Sequence, residues 1–256
     1  PRRTRGVPGL VPARRPRARP SAAPLLFQGV FFQAQLAGQV ALERQVARAL
    51  HPVEEGVFIA PGLRCAGLEG ISDVLRGEET QAFGWVAADP SRARGRRLLC
   101  LPGTHVKWIE MEDGRARRFV SAFTGEVFAL LRRHSILRGP EPPSDDPAFA
   151  QGLRAASEGD ALLNRLYAAR SRVAGDGADP ATTGSFVSGL LIGADVAASP
   201  RLLGMEGQPV TLLGDPNLCA LYAVALARRG TPCEAADGDR AVQGGLAALA
   251  KLGGLL

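Results

Sequence analysis

The chain has 256 residues, of which 46% are hydrophobic and 22% are charged, and its formal net charge is +6. This length and this balance are typical of a soluble globular protein with a substantial core, arranged as one large or two ordinary domains. No apolar run approaches the roughly 20 residues that a membrane helix needs, so we predict no transmembrane span.

The positive charge is concentrated at the start of the chain. Residues 1–20 contain seven arginines, five prolines and no acidic residue, whereas the other 236 residues carry 24 basic and 25 acidic side chains. Such a segment can bury little apolar surface, and we predict a disordered leader over residues 1–22. An arm that binds nucleic acid or an anionic membrane is the alternative, but the segment lacks the aromatic side chains that stack on bases. The body of the protein is therefore not predicted to bind nucleic acid.

After the leader, the spacing of apolar residues predicts an amphipathic helix over 25–50, which Pro52 ends. A short apolar run then predicts a buried strand over 57–60. Ser72 or Asp73 can cap the element that follows.

Two adjacent acids, Glu78 and Glu79, follow Gly77, a residue that weakens a continuous helix. We therefore predict that a new helix begins at Glu78 and runs through Trp85. Carboxylates in a first helical turn are favoured by the helix dipole and by the unpaired N–H groups. Most acidic pairs of this kind only start a helix, and a catalytic carboxylate is the alternative.

The segment 98–139 predicts three antiparallel strands followed by a helix. An apolar run and a polar–apolar alternation define the strands, and Asp113-Gly114 favours the positive φ values of a two-residue hairpin turn. Thr124 can cap the helix, with Glu126 in its first turn. The predicted strands cover 98–101, 107–112 and 117–122, and the first ends at Pro102-Gly103.

Helices dominate the rest of the chain. A proline-rich link over 140–147 and a glycine-rich loop over 175–184 separate them. We find no solenoid repeat and no HExxH, GxSxG or P-loop string. The predicted helices cover 148–158, 161–174, 186–198, 217–229 and 239–252, and the predicted strand covers 210–213.

The turn Pro102-Gly103-Thr104-His105 carries the chemical interest of the sequence. A glycine beside a hydroxyl residue, placed where a strand turns, lets backbone N–H groups and an Oγ approach an anion closely, which is one way to hold a phosphate. An ordinary hairpin turn is the alternative, and a lone Gly-Thr pair favours that alternative.

Two other glycine patterns leave alternatives open. Gly189 and Gly193 lie four residues apart on a predicted helix, so either a second helix or an adenine ring can pack closely there. Gly214, followed by Asp215, lies where a strand meets a helix. This is a usual position for a ligand phosphate or ribose in a layered α/β lobe, although many such turns use glycine without a ligand.

The strings DVLRGEETQAFG, LPGTHVKW and FTGEVFALLRRHSIL closely resemble those of the 2-dehydro-3-deoxygalactonokinases, sugar-acid kinases of the actin, Hsp70 and hexokinase superfamily. The resemblance runs from about Val57 to the C-terminus and includes SGLLIGADV and LLGDPNLCALYAVAL. At position 106 the sequence differs from the family pattern, because Val106 stands where Ser is usual. It implies an α/β, two-lobed, actin-like (ribonuclease H-like) ATPase fold. The implied domains are a remnant of the N-terminal lobe over 23–96, on which residues 239–256 pack back, and a nucleotide-binding lobe over 97–238.

The resemblance also implies an activity, the transfer of the γ-phosphate of ATP, with Mg²⁺, to the 6-hydroxyl of 2-dehydro-3-deoxy-D-galactonate in galactonate catabolism. The order of the motifs makes Glu78 the first candidate for the base and Glu79 the second, and it assigns no metal ligand. For Lys107, strand alternation favours a solvated surface role as the alternative. The implied phosphate contacts are Pro102, Gly103, Thr104, His105 and Lys107, the implied substrate contacts are Arg76, Thr124 and Glu126, and the implied nucleotide contacts are Gly189, Gly193, Gly214 and Asp215.

Members of this superfamily also open with a DxGTS segment, which supplies a first phosphate loop and an acid that holds the metal. Residues 1–50 contain no such string, and their start without methionine is typical of a truncated, misread or replaced N-terminus. We therefore expect residues 57–252 to fold but the chain as given to have little or no kinase activity, because one set of contacts to the triphosphate is missing. A non-catalytic remnant that binds a ligand or a partner is the alternative function.

The cysteines and the composition give expectations about partners and location. The four cysteines have no CxxC spacing, so we expect reduced, mostly buried thiols in a cytoplasmic protein rather than a zinc site or disulfides. The expected partners are a small sugar acid and a nucleotide, without membrane or nucleic acid, and a homodimer is a further expectation. The cysteines are Cys65, Cys100, Cys219 and Cys233.

Overall fold

The structure is a computed structural model, and it describes residues 31–33, 50–54, 57–138, 147–157 and 161–255. The predicted leader over 1–22 lies outside these ranges. The strands in them are β1 (Phe31–Gln33), β2 (His51–Glu54), β3 (Val57–Ile59), β4 (Gly62–Ala66), β5 (Ser72–Leu75), β6 (Arg96–Leu101), β7 (Val106–Glu112), β8 (Arg115–Ala122), β9 (Val210–Gly214) and β10 (Cys233–Asp237).

The helices in the described ranges agree with the predictions from Glu78 onwards to within a few residues at each end. The largest difference is at the helix predicted over 186–198, which begins earlier and ends later. The helices are α1 (Glu78–Ala87), α2 (Thr124–His134), α3 (Pro147–Ser157), α4 (Leu162–Ala174), α5 (Thr183–Leu202), α6 (Pro216–Arg228) and α7 (Gly238–Leu252).

Strands β6 to β10 form a five-stranded mixed sheet in the order β10, β9, β6, β7, β8. Strands β6, β7 and β8 are antiparallel neighbours, as predicted, whereas β9 and β10 run parallel to β6. The hairpin between β7 and β8 turns at Asp113 and Gly114, with φ values of 49° and 74°, which confirms the two-residue turn. The carboxyl ends of β6, β9 and β10 therefore meet at one edge of the sheet.

Helices cover both faces of this sheet. Alternate side chains of a strand point to opposite faces, so Leu99 and Leu101 of β6 join one buried cluster and Leu98 and Cys100 join another. The first cluster includes side chains of α1 and α7, and the second includes side chains of α3, α5 and α6. Because both faces are covered, β7 is buried along its length except at Glu112.

A smaller three-stranded sheet has the order β1, β4, β5. Strand β1 pairs with β4 in parallel, and β4 pairs with β5 in antiparallel orientation. The small sheet contacts the large one through β5 and β8, where Oδ2 of Asp73 accepts a hydrogen bond from the backbone N of Ser121 at 2.7 Å. The strand that leads into α1 is thereby attached to the edge of the large sheet.

Three predictions for the first part of the chain are wrong. The helix predicted over 25–50 contains strand β1, because backbone pairing with β4 overrides the helical spacing; most of its other residues lie outside the described ranges. The element after Ser72 is strand β5 rather than a capped helix, since it pairs with β4. The strand predicted over 57–60 forms but is not buried, because Phe58 and Ile59 are 39% and 41% exposed.

Helix α5 runs through the interior and packs closely on α3. A Cβ at Gly189 would overlap the carbonyl oxygen of Phe149, and a Cβ at Gly193 would lie 2.6 Å from Cβ of Ala156. The segment Pro180–Leu202 is long and apolar enough to cross a membrane by length and composition, so the expectation that no segment approaches this length is wrong. In the fold, 72% of its apolar window is buried inside the protein, as in the core helix of a soluble protein.

Helix α7 packs back on α1, and small residues bring the two backbones into contact. A Cβ at Gly84 would overlap the carbonyl oxygen of Ala241, and a Cβ at Gly245 would overlap that of Thr80. Between these positions, a Cβ at Gly244 would lie 3.6 Å from the oxygen of Gly84, which is ordinary contact. Glycine is therefore required at 84 and 245 but not at 244.

Replacing Gly245 with alanine is expected to lower the free energy of unfolding by about 1–3 kcal/mol, because α1 and α7 have to separate to admit the methyl group. Gly244→Ala is the matched control, and it is expected to be neutral or stabilising by up to about 1 kcal/mol, since alanine favours a helix over glycine. Urea unfolding of both variants measures the difference. Equal stability of the two variants would contradict the close helix contact.

Candidate active site

The turn that joins β6 to β7, called here the PGTH turn (Pro102–His105), lies at the edge where the carboxyl ends of the parallel strands meet. The turn is tight, since Leu101 on β6 is paired with Lys107 on β7. Pro102 is buried and Gly103 is half-buried, whereas Thr104 and His105 are exposed. The exposed part of the turn thus carries a hydroxyl and an imidazole.

Two further strand ends pack against this turn. A Cβ at Gly214, the last residue of β9, would lie 3.2 Å from the carbonyl oxygen of Pro102. Gly238 follows β10, and a Cβ there would lie 2.9 Å from Cα of Gly214. Asp215 caps α6, because its Oδ1 accepts a hydrogen bond from the backbone N of Leu218 at 2.9 Å. The three strand ends therefore form one continuous backbone surface.

The two acids at the start of α1 have different environments. Glu78 is half-buried, and its Oε2 accepts a hydrogen bond from the backbone N of Arg76 at 2.8 Å. Glu79 is buried, and its carboxylate accepts from the backbone N of Gly77 at 2.6 Å and from Oγ1 of Thr80 at 3.2 Å. Burial raises the pKa of Glu79 to about 7, although its hydrogen bonds lower it. Glu78 is thus the more accessible acid of the pair.

A hydrogen bond ties the start of α1 to the strand-end surface. Nε2 of Gln81 donates to the carbonyl oxygen of Gly238 at 3.4 Å. Residues three apart lie on the same side of a helix, so Glu78 faces the same side of α1 as Gln81. Glu78 is therefore placed on the side of α1 that meets Gly238 and, through it, Gly214.

Lys107 connects the strand after the PGTH turn to the strand that leads into α1. Its Nζ donates to the carbonyl oxygen of Val74 at 2.8 Å and to Oγ of Ser121 at 2.6 Å. The side chain is only 7% exposed, so the predicted solvated surface role is wrong. The prediction from strand alternation was wrong because the face of β7 that carries Lys107 is also covered by protein. A direct phosphate contact of Lys107 stays a prediction.

The first turn of α2 packs directly on the PGTH turn. A Cβ at Gly125 would overlap the carbonyl oxygen of Gly103. The backbone N of Glu126 donates to the carbonyl oxygen of Thr104 at 2.9 Å. The carboxylate of Glu126 also contacts Nε2 of His105. Glu126 and His105 therefore act as one polar pair at the exposed side of the turn.

Thr124 does not cap α2 with its side chain, so that prediction is wrong. Its hydroxyl donates instead to Oδ2 of Asp195 at 3.0 Å. Because the hydroxyl proton is used in this bond, the structure does not favour the predicted contact of Thr124 with the substrate. Asp195 is buried in α5 and accepts three further hydrogen bonds. Sequence analysis missed Asp195, for which the available signal was one acid within the otherwise apolar pattern of α5.

A small cavity of about 70 Å³ lies beside Gly103, among α2, α5 and α6. Gly189 and Gly193 do not line it, because both are packed against α3. The close packing on α3 agrees with the helix-packing alternative for these two glycines, and their nucleotide contact stays a prediction. The cavity is lined by Gly103, Thr124, Gly125, Phe128, Ser188, Leu191, Ile192, Leu218, Leu221 and Tyr222.

Within the described ranges, no group of three or more His, Cys, Asp or Glu side chains is arranged to hold a metal ion. Mg²⁺ in phosphoryl-transfer sites is usually held by one or two carboxylates together with substrate phosphates and water. The acids next to the strand-end surface are Glu78, Asp215, Asp237 and Asp239. The donor set fits a metal that arrives with a nucleotide rather than one that the protein alone encloses.

Comparison with known proteins identifies the family. The model of the 2-keto-3-deoxy-galactonokinase family matches residues 34–249. The chain belongs to this family. It is 35% identical over 212 residues to a protein of Rhizobium meliloti (strain 1021) named as a probable 2-dehydro-3-deoxygalactonokinase, a match that covers 80% of the chain and 67% of that protein.

Two further members of the family agree with this assignment. The chain is 32% identical over 207 residues to the 2-dehydro-3-deoxygalactonokinase of Escherichia coli (strain K12), covering 80% of the chain and 68% of that protein. A crystal structure of a Sinorhizobium meliloti protein assigned to the same activity superposes with a TM-score of 0.74 at 30% identity, covering 86% of the chain and 73% of that structure. Family membership therefore rests on both sequence and fold.

Proposed function

We propose that the protein is a 2-dehydro-3-deoxygalactonokinase that transfers the γ-phosphoryl group of ATP to the 6-hydroxyl of 2-dehydro-3-deoxy-D-galactonate. The observation that carries the proposal is the convergence of the PGTH turn, Gly214, Gly238 and the start of α1 on one edge of the sheet, in a chain of this kinase family. Carboxyl ends of parallel strands are the usual ligand side of an open α/β sheet. A non-catalytic remnant is not favoured by these observations.

A two-lobed, actin-like arrangement is part of the proposal. Support comes from the large sheet, in which an antiparallel hairpin unit, β6 to β8, is extended by two parallel strands. The packing of α7 on α1 supports the assignment of residues 239–256 to the lobe proposed over 23–96. The boundary with the lobe proposed over 97–238 then falls at the start of β6, after Arg96.

The PGTH turn is proposed to hold phosphate oxygens. Thr104 offers an exposed hydroxyl, and Gly103 lets its backbone approach an anion because it has no side chain. His105, next to Thr104, can add a positive or hydrogen-bonding group. Mg²⁺ bound with ATP would neutralise phosphate charge, and Asp215 is a candidate to hold its water shell.

Glu78 is proposed to accept the proton of the sugar-acid hydroxyl. A carboxylate in this role has to lie within hydrogen-bond reach of the hydroxyl, directly or through one water. Glu78 is the acid of the α1 pair that remains accessible, whereas Glu79 is turned into the protein. Arg76, which precedes the pair, is proposed to neutralise the substrate carboxylate.

The apolar cavity beside Gly103 is proposed as the part of the site that receives the nucleoside. Apolar and aromatic linings with a few polar groups are typical of nucleotide and cofactor sites. Gly214 and Asp215 lie at the adjoining strand end and keep their predicted nucleotide role.

Replacing Gly125 with alanine is expected to weaken binding of ADP by about tenfold, or about 1.4 kcal/mol. The reason is steric, since the new methyl group overlaps Gly103 and pushes the PGTH turn out of place. Calorimetric titration with Mg-ADP measures the change. Gly244→Ala serves as the control, and unchanged affinity in Gly125→Ala would remove the PGTH turn from the phosphate site.

The product identifies the acceptor. Incubation of a form with measurable turnover with Mg-ATP and 2-dehydro-3-deoxygalactonate is expected to yield the 6-phosphate, which phosphorus NMR distinguishes from other monophosphates. The C4 epimer of the substrate, used in parallel, measures stereochemical preference. Phosphate released only as inorganic phosphate would point to an ATPase and contradict the proposed acceptor.

Several expectations stay predictions. The expected weak activity of the chain as given rests on residues 1–50, most of which lie outside the described ranges. A homodimer and a cytoplasmic location likewise stay predictions. Three of the four cysteines, Cys65, Cys100 and Cys219, are buried, and Cys233 is half-buried, which agrees with the expectation that they are mostly buried.

A further inference from the structure

Asp195 joins four elements beneath the PGTH turn. Its Oδ1 accepts hydrogen bonds from Nε1 of Trp108 on β7 at 3.0 Å and from Oγ of Ser199 on α5 at 2.6 Å. Its Oδ2 accepts from Oγ1 of Thr124 on α2 at 3.0 Å and from Oη of Tyr222 on α6 at 2.6 Å. A buried carboxylate is costly unless its donors are held in place. This carboxylate therefore fixes the four elements relative to one another.

The two donors to Oδ2 lie between Asp195 and the PGTH turn. Thr124 is the first residue of α2, and the two residues after it pack on the turn and hydrogen-bond to it. Tyr222 lines the cavity that also contains Gly103. Ser199, by contrast, lies one helical turn from Asp195 on the same helix and does not line the cavity.

We propose that Asp195 is a positioning residue for the nucleotide: through Thr124 it holds the start of α2 against the PGTH turn and keeps the turn in the conformation that receives phosphate. This role rests on the kinase function proposed above. Asp195 is 6% exposed and its two oxygens are occupied by protein donors. It therefore acts through Thr124 and Tyr222 rather than by touching the substrate.

The burial of Asp195 is consistent with this role. Burial raises the pKa of its carboxyl group, and the four hydrogen bonds lower it. All four donors are neutral side chains on different parts of the fold, and no salt bridge of the described residues includes Asp195. Directional hydrogen bonds rather than charge pairing thus define the geometry.

Three substitutions test the proposal, chosen because replacing Asp195 itself risks unfolding the core. Thr124→Val removes the donor to Asp195 that lies next to the turn. Ser199→Ala removes a donor to the same carboxylate that lies away from the turn, and Thr124→Ser restores the Thr124 donor. Loss of one hydrogen bond corresponds to about a 3- to 10-fold change in an equilibrium. Both Thr124→Val and Ser199→Ala are expected to lower Tm by similar amounts.

Measurements at the PGTH turn itself distinguish the two variants, because their losses in Tm are expected to be similar. In Thr124→Val, amide hydrogen exchange at residue 126, whose backbone N donates to the carbonyl oxygen of Thr104, is expected to accelerate by about 3- to 10-fold, and Mg-ADP binding to weaken by a similar factor. Ser199→Ala is expected to change neither, and Thr124→Ser to restore both.

The exchange measurement is made without nucleotide, so it tests the positioning role independently of the kinase function. Equal acceleration in Thr124→Val and Ser199→Ala, or none in Thr124→Val, would overturn the proposal. Absence of Mg-ADP binding by the unmodified protein would instead count against the proposed function, while the exchange result would still decide whether Thr124 holds the turn.

Discussion

Glu78→Gln, in a form of the protein with measurable turnover, is expected to reduce kcat by about 10² to 10⁴, the range for loss of a general base. Glutamine keeps the shape of the side chain and can still accept the hydrogen bond from the backbone N of Arg76. It cannot accept the proton of the sugar-acid hydroxyl. The KM for ATP is expected to change little, since Glu78 is not proposed to hold the triphosphate directly. Steady-state ADP release at saturating substrates measures both quantities.

Glu112→Gln is the matched control for this substitution. Glu112 lies at the end of β7, where its carboxylate pairs with Arg117 at 3.0 Å, and the same change there is expected to leave kcat unaltered. Near-normal kcat in Glu78→Gln would remove Glu78 from the role of base. The role would then pass to Glu79 only if substrate binding exposed it, because Glu79 is 1% exposed in this fold.

Glu79→Gln is expected to change how stability depends on pH. The folded protein gives up the Glu79 proton near pH 7, whereas the unfolded chain gives it up near the ordinary value of 4.5. Between these values the folded state binds more protons, so wild-type stability falls as pH rises and the full loss is present above pH 7. One pKa unit corresponds to about 1.4 kcal/mol, so the total loss is about 3 kcal/mol.

Glutamine at position 79 removes this loss because it does not ionise. We therefore expect the free energy of unfolding of Glu79→Gln, relative to wild type, to rise by about 2–3 kcal/mol between pH 5 and pH 8. Urea unfolding of both proteins at the two pH values measures the difference, and Glu112→Gln again controls for the substitution. A constant difference across this range would show that Glu79 is not a buried acid with a raised pKa.

The central part of the fold was predictable because its signals are local. The apolar run of β6, the polar–apolar alternation of β7 and the Asp113-Gly114 turn each lie within a few residues of one another. These patterns predicted the hairpin unit and the PGTH turn, and the structure contains both. The start of α1 at Glu78 was equally predictable, since Gly77 marks the break before it.

The errors come from contacts between distant parts of the chain. Strand β5 resembles the start of a helix until its pairing with β4 is known. Lys107 is buried because β5 and β8 supply acceptors for its ammonium group from 33 and 14 residues away. The spacing of Gly189 and Gly193 suits a helix or a ligand equally, and only the structure shows that α3 packs closely on both glycines.

At the candidate site, the hydrogen bonds around Asp195 could not be predicted from the sequence for the same reason. Its donors come from four elements, and Trp108 lies 87 residues away from it in the sequence. The pattern of α5 alone identifies an acid in an apolar helix but not its partners. Only the packed structure connects Asp195 to Thr124 and hence to the PGTH turn.

The central claim is that the edge formed by the PGTH turn, Gly214, Gly238 and Glu78 transfers phosphate from ATP to a sugar acid. A coupled ADP-release assay with 2-dehydro-3-deoxygalactonate and Mg-ATP tests it most directly. The assay is run on this chain and on a form that carries a family-type DxGTS segment at its N-terminus, so that any requirement for the first phosphate loop is measured as well. We predict that the form with the added segment releases ADP in response to the sugar acid, that the chain as given releases little or none, and that Glu78→Gln removes the activity. ADP release from neither form in response to the sugar acid, or turnover that Glu78→Gln leaves unchanged, would contradict the account.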